Sequence, residues 1–350
     1  MENSLDMQEV LEQILFPAFL VKDGVIALAN RASLLRQIEV GSAVASIIKT
    51  GSQEYADFSQ GKLCLTLSVG DIAYHTSVTK SGDFDLFCME SEYEGPELKA
   101  LALAALQLRE PLANAMLCTD SLLKDSPECQ QLQKINRNLY QLHRALSNMS
   151  DAAEYTKQRP FRIETKDVCA VIAELMEKAA HLAAEAGYTL TYKGLSNVIY
   201  SPIDSEKLER AILNLISNAI KFSTGNDITA TLSCNKNRLY LTVCNACETI
   251  TAETRSSLFS RFLREPGIED SRHGIGLGMT IVRSAAAVHG GTVLFEQPEK
   301  NVIRFTLTLD IRQSSDVYVR SPILLPTNYS GGYDPALTEL SDILPSRLFF

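Results

Sequence analysis

The chain has 350 residues, 33 Lys and Arg against 42 Asp and Glu for a net charge of −9, and 45% apolar residues. That balance excludes wholesale disorder, collagen-like sequence and a small disulfide-held module, and the length suggests two or three domains. The acidic excess, without clustered Lys or Arg, gives a nucleic-acid surface no electrostatic footing.

The N-terminal run MENSLDMQEV has neither a basic region nor a cleavage site. No apolar run approaches the ~18–20 residues of a membrane-spanning helix. The expectation is a cytoplasmic protein with no membrane span. From about residue 10 to 89, short apolar runs (ILFPAFLV, VIALAN, GKLCLTLSVGD, IAYHTSV, FDLFCM) alternate with turn signals such as KDG and SGD. They predict an antiparallel sheet of two strands, one or two helices across residues 31–49, then three strands. That order, with Asn30 closing the second strand, resembles a PAS-type sensor domain over residues 8–90. His75 falls on a strand and reads as structural.

Residues 96–157 carry two helical patterns. Leu98, Leu101, Ala105, Leu108, Leu112, Ala115 and Leu122 stripe the first; Leu132, Ile135, Leu139, Leu142, Leu146, Met149 and Ala153 stripe the second. Asp125-Ser126-Pro127 supplies a stop and restart. One hairpin cannot bury its own seam, so the stripes predict a homodimer through a four-helix bundle. His143 reads as a bundle-surface residue.

Further on, FRIE predicts a strand, residues 166–186 a long helix, and residues 204–222 a second helix capped by Asp204. DITATLSC and RLYLTVCN form a hairpin about Asn235-Lys236-Asn237. A third helix follows Gly278, and GTVLFE and VIRFTLTL close a two-layer α/β sandwich. Residues 312–350, with the amphipathic piece 335–344, read as a docked tail of unassigned role. The eight cysteines are scattered. Cys244 and Cys247 have CxxC spacing but no second ligand pair follows, so a thiol or metal sensor there is a minor alternative.

NLISNAIKF (residues 214–222) resembles the N box of sensor histidine kinases and the wider Bergerat (GHKL-type) ATPase superfamily. LFSRFLRE (258–265) resembles the F box and HGIGLGMTIVRSAAAVHGGTVLF (273–295) the G2 box. The likeness covers about residues 95–310. It implies an α+β multidomain chain in four parts. These are a PAS-like sensor (8–90), a helical hairpin dimerisation domain of phosphoacceptor type (95–158), a histidine-kinase-like ATP-binding domain (161–311) and a C-terminal tail (312–350). It further implies ATP and Mg²⁺ as cofactors, with Asn218 on the metal and Lys221 on phosphate. Asn214, Phe222, Asn245, Arg264, Gly274, Gly276, Leu277 and Gly278 join them in the nucleotide site, with Phe259 and Phe262 on the lid side. Glycines at 274, 276 and 278 let backbone pass close to a triphosphate, and one amide oxygen plus phosphates and waters suits Mg²⁺.

The chain departs from that family at two places. The G1 box DxGxG is replaced by Asn245-Ala246-Cys247-Glu248-Thr249. Asn245 keeps a carbonyl acceptor for the adenine amino group but loses the charge-assisted bond, a difference of about 1 kcal/mol. In the H box, Arg109, Pro111 and Leu112 fix an alignment that puts Leu106 at the phosphoacceptor position. Gln107 and Glu110 replace its flanking carboxylate and small polar residue. A side chain without a nucleophilic nitrogen cannot accept phosphate. The expectation is therefore a pseudokinase-like homologue in two-component signal transduction, lacking catalytic residues of its own and serving as a dimeric scaffold for a response regulator or another histidine kinase. The alternative is an active ATPase, or a kinase acting in trans on a partner.

Overall fold

A computed structural model describes residues 2–89, 96–154, 162–248, 250, 277–311 and 332–350. The N-terminal unit opens with α1 (Glu2–Glu12), then the hairpin β1 (Ala18–Lys22) and β2 (Val25–Ala29). Short α2 (Arg31–Leu34), β3 (Ile48–Thr50) and α3 (Ser52–Ala56) lead to the meander β4 (Lys62–Val69), β5 (Ile72–Ser81) and β6 (Phe84–Met89). Asn30 ties the start together: its Oδ1 accepts from the amides of Ala18 and Ser33, and its Nδ2 donates to the carbonyls of Ile14 and Phe16. The helix expected across residues 31–49 stops after one turn. Gln37 and Gly41 both take positive φ, at 64° and 91°, which a right-handed helix cannot contain.

The hairpin is α4 (Pro96–Asp125) and α5 (Gln130–Glu154). Its inward faces match the expected stripes only in part, at Ala105, Leu112 and Leu146. On α4 it is Ala105, Leu112, Met116, Thr119 and Leu123 that are buried, while Leu108 and Leu122 face outward. On α5 the buried row is largely polar: Asn136, Tyr140, Arg144, Ser147 and Asn148. Ile135 and Leu142 are exposed instead. The reason is that a third body packs on that polar row, as described below.

The C-terminal unit contains β7 (Glu164–Asp167), α6 (Val168–Glu185), β8 (Thr189–Lys193), β9 (Tyr200–Ile203) and α7 (Ser205–Lys221). It continues with β10 (Asp227–Asn235), β11 (Arg238–Ala246), α8 (Gly278–Val288), β12 (Val293–Glu299) and β13 (Val302–Asp310). The strand expected at FRIE starts later, at Glu164. Helices α6, α7 and α8 cover one face of the sheet with a continuous core that includes Ile172, Met176, Ile212, Ile216, Val282 and Phe295. Lys236 and Asn237, at φ 45° and 63°, form the β10–β11 turn, as the sequence predicts.

The two sheets are not separate. Strand order is β2-β1-β6-β5-β4-β12-β13-β11-β10-β8, with β3 on β4, making eleven strands. The joint is an antiparallel pairing of Leu63 with Leu294 and Cys64 with Val293. Backbone approach there is close: a Cβ on Gly61 would lie 2.0 Å from the Phe295 carbonyl oxygen, and Gly61 has φ +89°. At the seam Glu54, buried, accepts from Thr308 Oγ1 at 2.7 Å and lies 3.3 Å from Arg238 Nη1. No described helix is long and apolar enough to cross a membrane.

Candidate functional site

Helix α7 organises the site. Asp204 caps it, its Oδ1 accepting from the Lys207 amide at 3.1 Å, and its backbone amide donates to His289 Nε2 on α8. Burial holds the His289 imidazole below its usual range, so it serves as a neutral acceptor there. One turn separates Asn214 from Asn218, and Lys221 follows, so all three lie along one side of the helix. Gly278 starts α8 against them: a Cβ at this position would come within 2.9 Å of Asn214 Oδ1. Leu277, just before it, is buried. Asn218 Nδ2 points at Met279 Sδ, 3.4 Å away.

A dense ionic cluster sits on this face. Arg144 of α5 reaches Asn214 Oδ1 through Nη2 at 3.2 Å. Helix α9 (Pro335–Leu340) and the turn after it then bring two carboxylates. Glu339, fully buried, takes Arg144 Nε at 2.9 Å, Arg210 Nε at 3.1 Å and Asn214 Nδ2 at 3.1 Å. Asp342 takes Arg144 Nη1 at 2.6 Å and pairs with Lys221 Nζ. Arg210 is also braced by Asn148 Oδ1 at 2.7 Å. Burial, then the neighbouring Arg144, pull the Lys221 ammonium below its ordinary range, while Asp342 works the other way. Removing one member of such a buried set costs about 3–5 kcal/mol, because the partner's charge is left without compensation.

Asn245 ends up buried near the finish of β11. Its Nδ2 donates to the Ala246 carbonyl at 2.9 Å, and its Oδ1 has no partner among the described residues. A buried acceptor of that kind calls for a hydrogen-bond donor. Cys247 is buried beside it, and burial raises its thiol pKa, the opposite of a reactive thiolate. Among the described residues no group of three or more His, Cys, Asp or Glu is placed to hold a metal ion.

Residues 203–313 match the family model for the histidine kinase-, DNA gyrase B- and HSP90-like ATPase domain. The chain is 32% identical over 209 residues to a probable sensor protein, PcoS, of Escherichia coli, covering 57% of this chain and 44% of that one. It is 32% identical over 197 residues to the swarming motility regulation sensor protein RssA of Serratia marcescens, covering 54% and 41%. Residues 203–313 thus carry a histidine kinase-type ATPase domain, and the chain is similar to sensor histidine kinases. It spans less than half the length of either of those relatives. Among solved structures, full-length ShkA in complex with AMPPNP matches 60% of this chain and 45% of that chain, at 19% identity and a TM-score of 0.48.

Several of the kinase-like positions come together and others cannot be placed. Asn214, Asn218, Lys221, Leu277 and Gly278 converge where α7 meets α8, and Phe222 caps α7, half exposed. Thr249, Phe259, Phe262, Arg264, Gly274 and Gly276 lie outside the described residues. Leu106 is half exposed on α4. His143 corrects the surface reading: it is partly buried, its ring 6.0 Å from that of Tyr333, and its Nε2 lacks a partner among the described residues. Burial and the positive charges of Arg109 and Arg210 lower its pKa. Sequence reasoning missed Arg144, Arg210, Glu339 and Asp342. Their sequence separations, 195 between Arg144 and Glu339, leave no local pattern.

Proposed function

We propose that this chain is a two-component-type sensor homologue that binds ATP with Mg²⁺ but does not phosphorylate itself, and works as a dimeric scaffold. The observation that carries the reading is the contrast along its length. The α7–α8 junction keeps an assembled amide and cation face, while position 106 presents leucine. The residues fit a nucleotide. Asn245 Oδ1 offers the base an acceptor, Lys221 with Arg144 and Arg210 offers phosphates positive charge, and Asn218 offers Mg²⁺ an amide oxygen. ATP would supply a transferable γ-phosphoryl group when bound. Leu106 provides no nitrogen to take it, and Gln107 no carboxylate to orient one. The chain's own work would then be to hold the nucleotide and to report its presence through α5.

Dimerisation is supported by the outward apolar side chains of the hairpin. Leu103, Leu106, Leu117 and Leu122 on α4 and Ile135 and Leu142 on α5 are all about half exposed or more. The N-terminal unit reads as a PAS-type sensor, supported by its β2-β1-β6-β5-β4 order. The partner class is a response regulator or another histidine kinase. The alternative, an enzyme acting in trans, shares the same nucleotide face and differs only in turnover. A fluorescent-ATP titration of the full chain, with and without Mg²⁺, coupled to a phosphate-release assay separates the two. Binding without turnover is expected; sustained turnover favours the enzyme.

A further inference from the structure

The segment carrying α9 is the part of the fold that the nucleotide reading leaves without a role. Asp334 caps α9, accepting from the amides of Ala336 and Leu337. Ala336, Leu340, Leu344 and Phe349 are buried, and the Phe349 and Tyr333 rings both pack edge-on against Tyr140 of α5. Arg137 donates to the Ser341 and Asp342 carbonyls at 3.0 and 2.8 Å. This well-packed platform delivers Glu339 and Asp342, three residues apart, onto Asn214, Lys221, Arg144 and Arg210.

We infer that this segment is an internal stand-in for the nucleotide's phosphates, its two carboxylates occupying the positive face of α7 so that ATP and the docked tail exclude one another. The inference rests on the nucleotide reading above and deepens it. Carboxylate and phosphate oxygens are both acceptor-only anions that take bidentate guanidinium and ammonium contacts. Three basic side chains face two carboxylates in this cluster. Withdrawing the tail therefore leaves buried cations without an anion, a state that a triphosphate relieves and water does so poorly. Arg144 belongs to the hairpin and Lys221 to the ATPase-like unit, with Asp342 bonded to both. Exchange of tail for nucleotide thus also releases a clamp between the two.

The test uses the full chain. Fluorescent ATP with Mg²⁺ is titrated into the wild type, a Glu339→Gln/Asp342→Asn variant and Phe349→Ala, which loosens docking without touching the cation cluster. Removing an occupant divides the apparent dissociation constant by the fraction of open sites, so both variants are expected to bind about tenfold tighter or more. Hydrogen exchange is followed in parallel. In the wild type, ATP is expected to speed exchange of the Thr338, Ile343 and Leu344 amides, which bond within the docked segment. If the charge variant fails to fold, Phe349→Ala and the exchange measurement carry the test. Equal affinity in all proteins, with tail exchange unchanged by bound ATP, overturns the exclusion and leaves the nucleotide reading intact. No binding in any folded variant removes the nucleotide reading, and the exclusion falls with it.

Discussion

In the proposed reading Leu106 stands where the phosphoacceptor would be, and its neighbours set how hard that loss is to reverse. Leu106→His alone is expected to give no measurable autophosphorylation from γ-labelled ATP. Gln107 leaves the new imidazole without a carboxylate, and Glu110 puts negative charge beside an incoming phosphoryl group. General-base help of this kind is worth roughly 10²–10⁴-fold in rate. A Leu106→His/Gln107→Glu/Glu110→Thr variant should do measurably better; strong acid-labile labelling of the single variant would show that the decay is shallower. Asn245→Ala should weaken ATP binding by about 1 kcal/mol, the worth of one neutral hydrogen bond, with little change in melting temperature. An unchanged affinity would put the base elsewhere. At this scale the site was half legible. Asn214, Asn218, Lys221 and Asn245 sit in recognisable local runs. Arg144, Arg210, Glu339 and Asp342 matter only because distant segments meet, and nothing in their own neighbourhoods announces it.

Helices α5 and α7 show how a neighbour decides which face is inner. Apolar spacing correctly located both hairpin helices and placed Ala105, Leu112 and Leu146 inside, yet it misplaced part of each stripe, because α9 covers the polar row through Arg144 and leaves Ile135 and Leu142 outside. Those exposed positions predict that the full chain sediments as a dimer at micromolar concentration. Leu117→Glu/Leu142→Glu should sediment as a monomer with an unchanged circular dichroism spectrum; a dimer surviving both changes would place the interface elsewhere. Helix α7 also carries a pH response. Burial, aided by Asp334, Glu206 and Glu339 and opposed by Lys178, raises the Glu209 pKa from 4.5 to about 7. A carboxyl whose folded pKa is raised stabilises fully below its unfolded pKa, and that contribution is lost as pH rises through the folded value. Stability should therefore fall between about pH 4.5 and 7 by an increment that Glu209→Gln removes. Thermal melts at pH 5 and pH 8 check this: the variant should gain relative to wild type only at the higher pH.

Across the whole molecule, the unexpected feature is the seam. Most strands of both units were legible from alternation and turn residues, whereas the short β3, β8 and β9 were not, and edge-to-edge pairing of β4 with β12 leaves no local sequence pattern. The N-terminal unit is therefore joined to the ATPase-like unit through a shared sheet. Gly61→Ala places a methyl group against the Phe295 carbonyl, so it should open the seam. Amides of β12 should then exchange faster while those of β5 and β6 stay protected; uniform protection would mean that the joint tolerates the change. The chain is proposed to keep a nucleotide face yet to be unable to phosphorylate itself. Incubating the full chain with γ-labelled ATP and Mg²⁺, under conditions where fluorescent-ATP binding is demonstrated, tests it most directly. The expected result is bound nucleotide with no acid-labile, base-stable phosphate on the protein. Stoichiometric phosphate of that kind, on His143 or any other histidine, would contradict it.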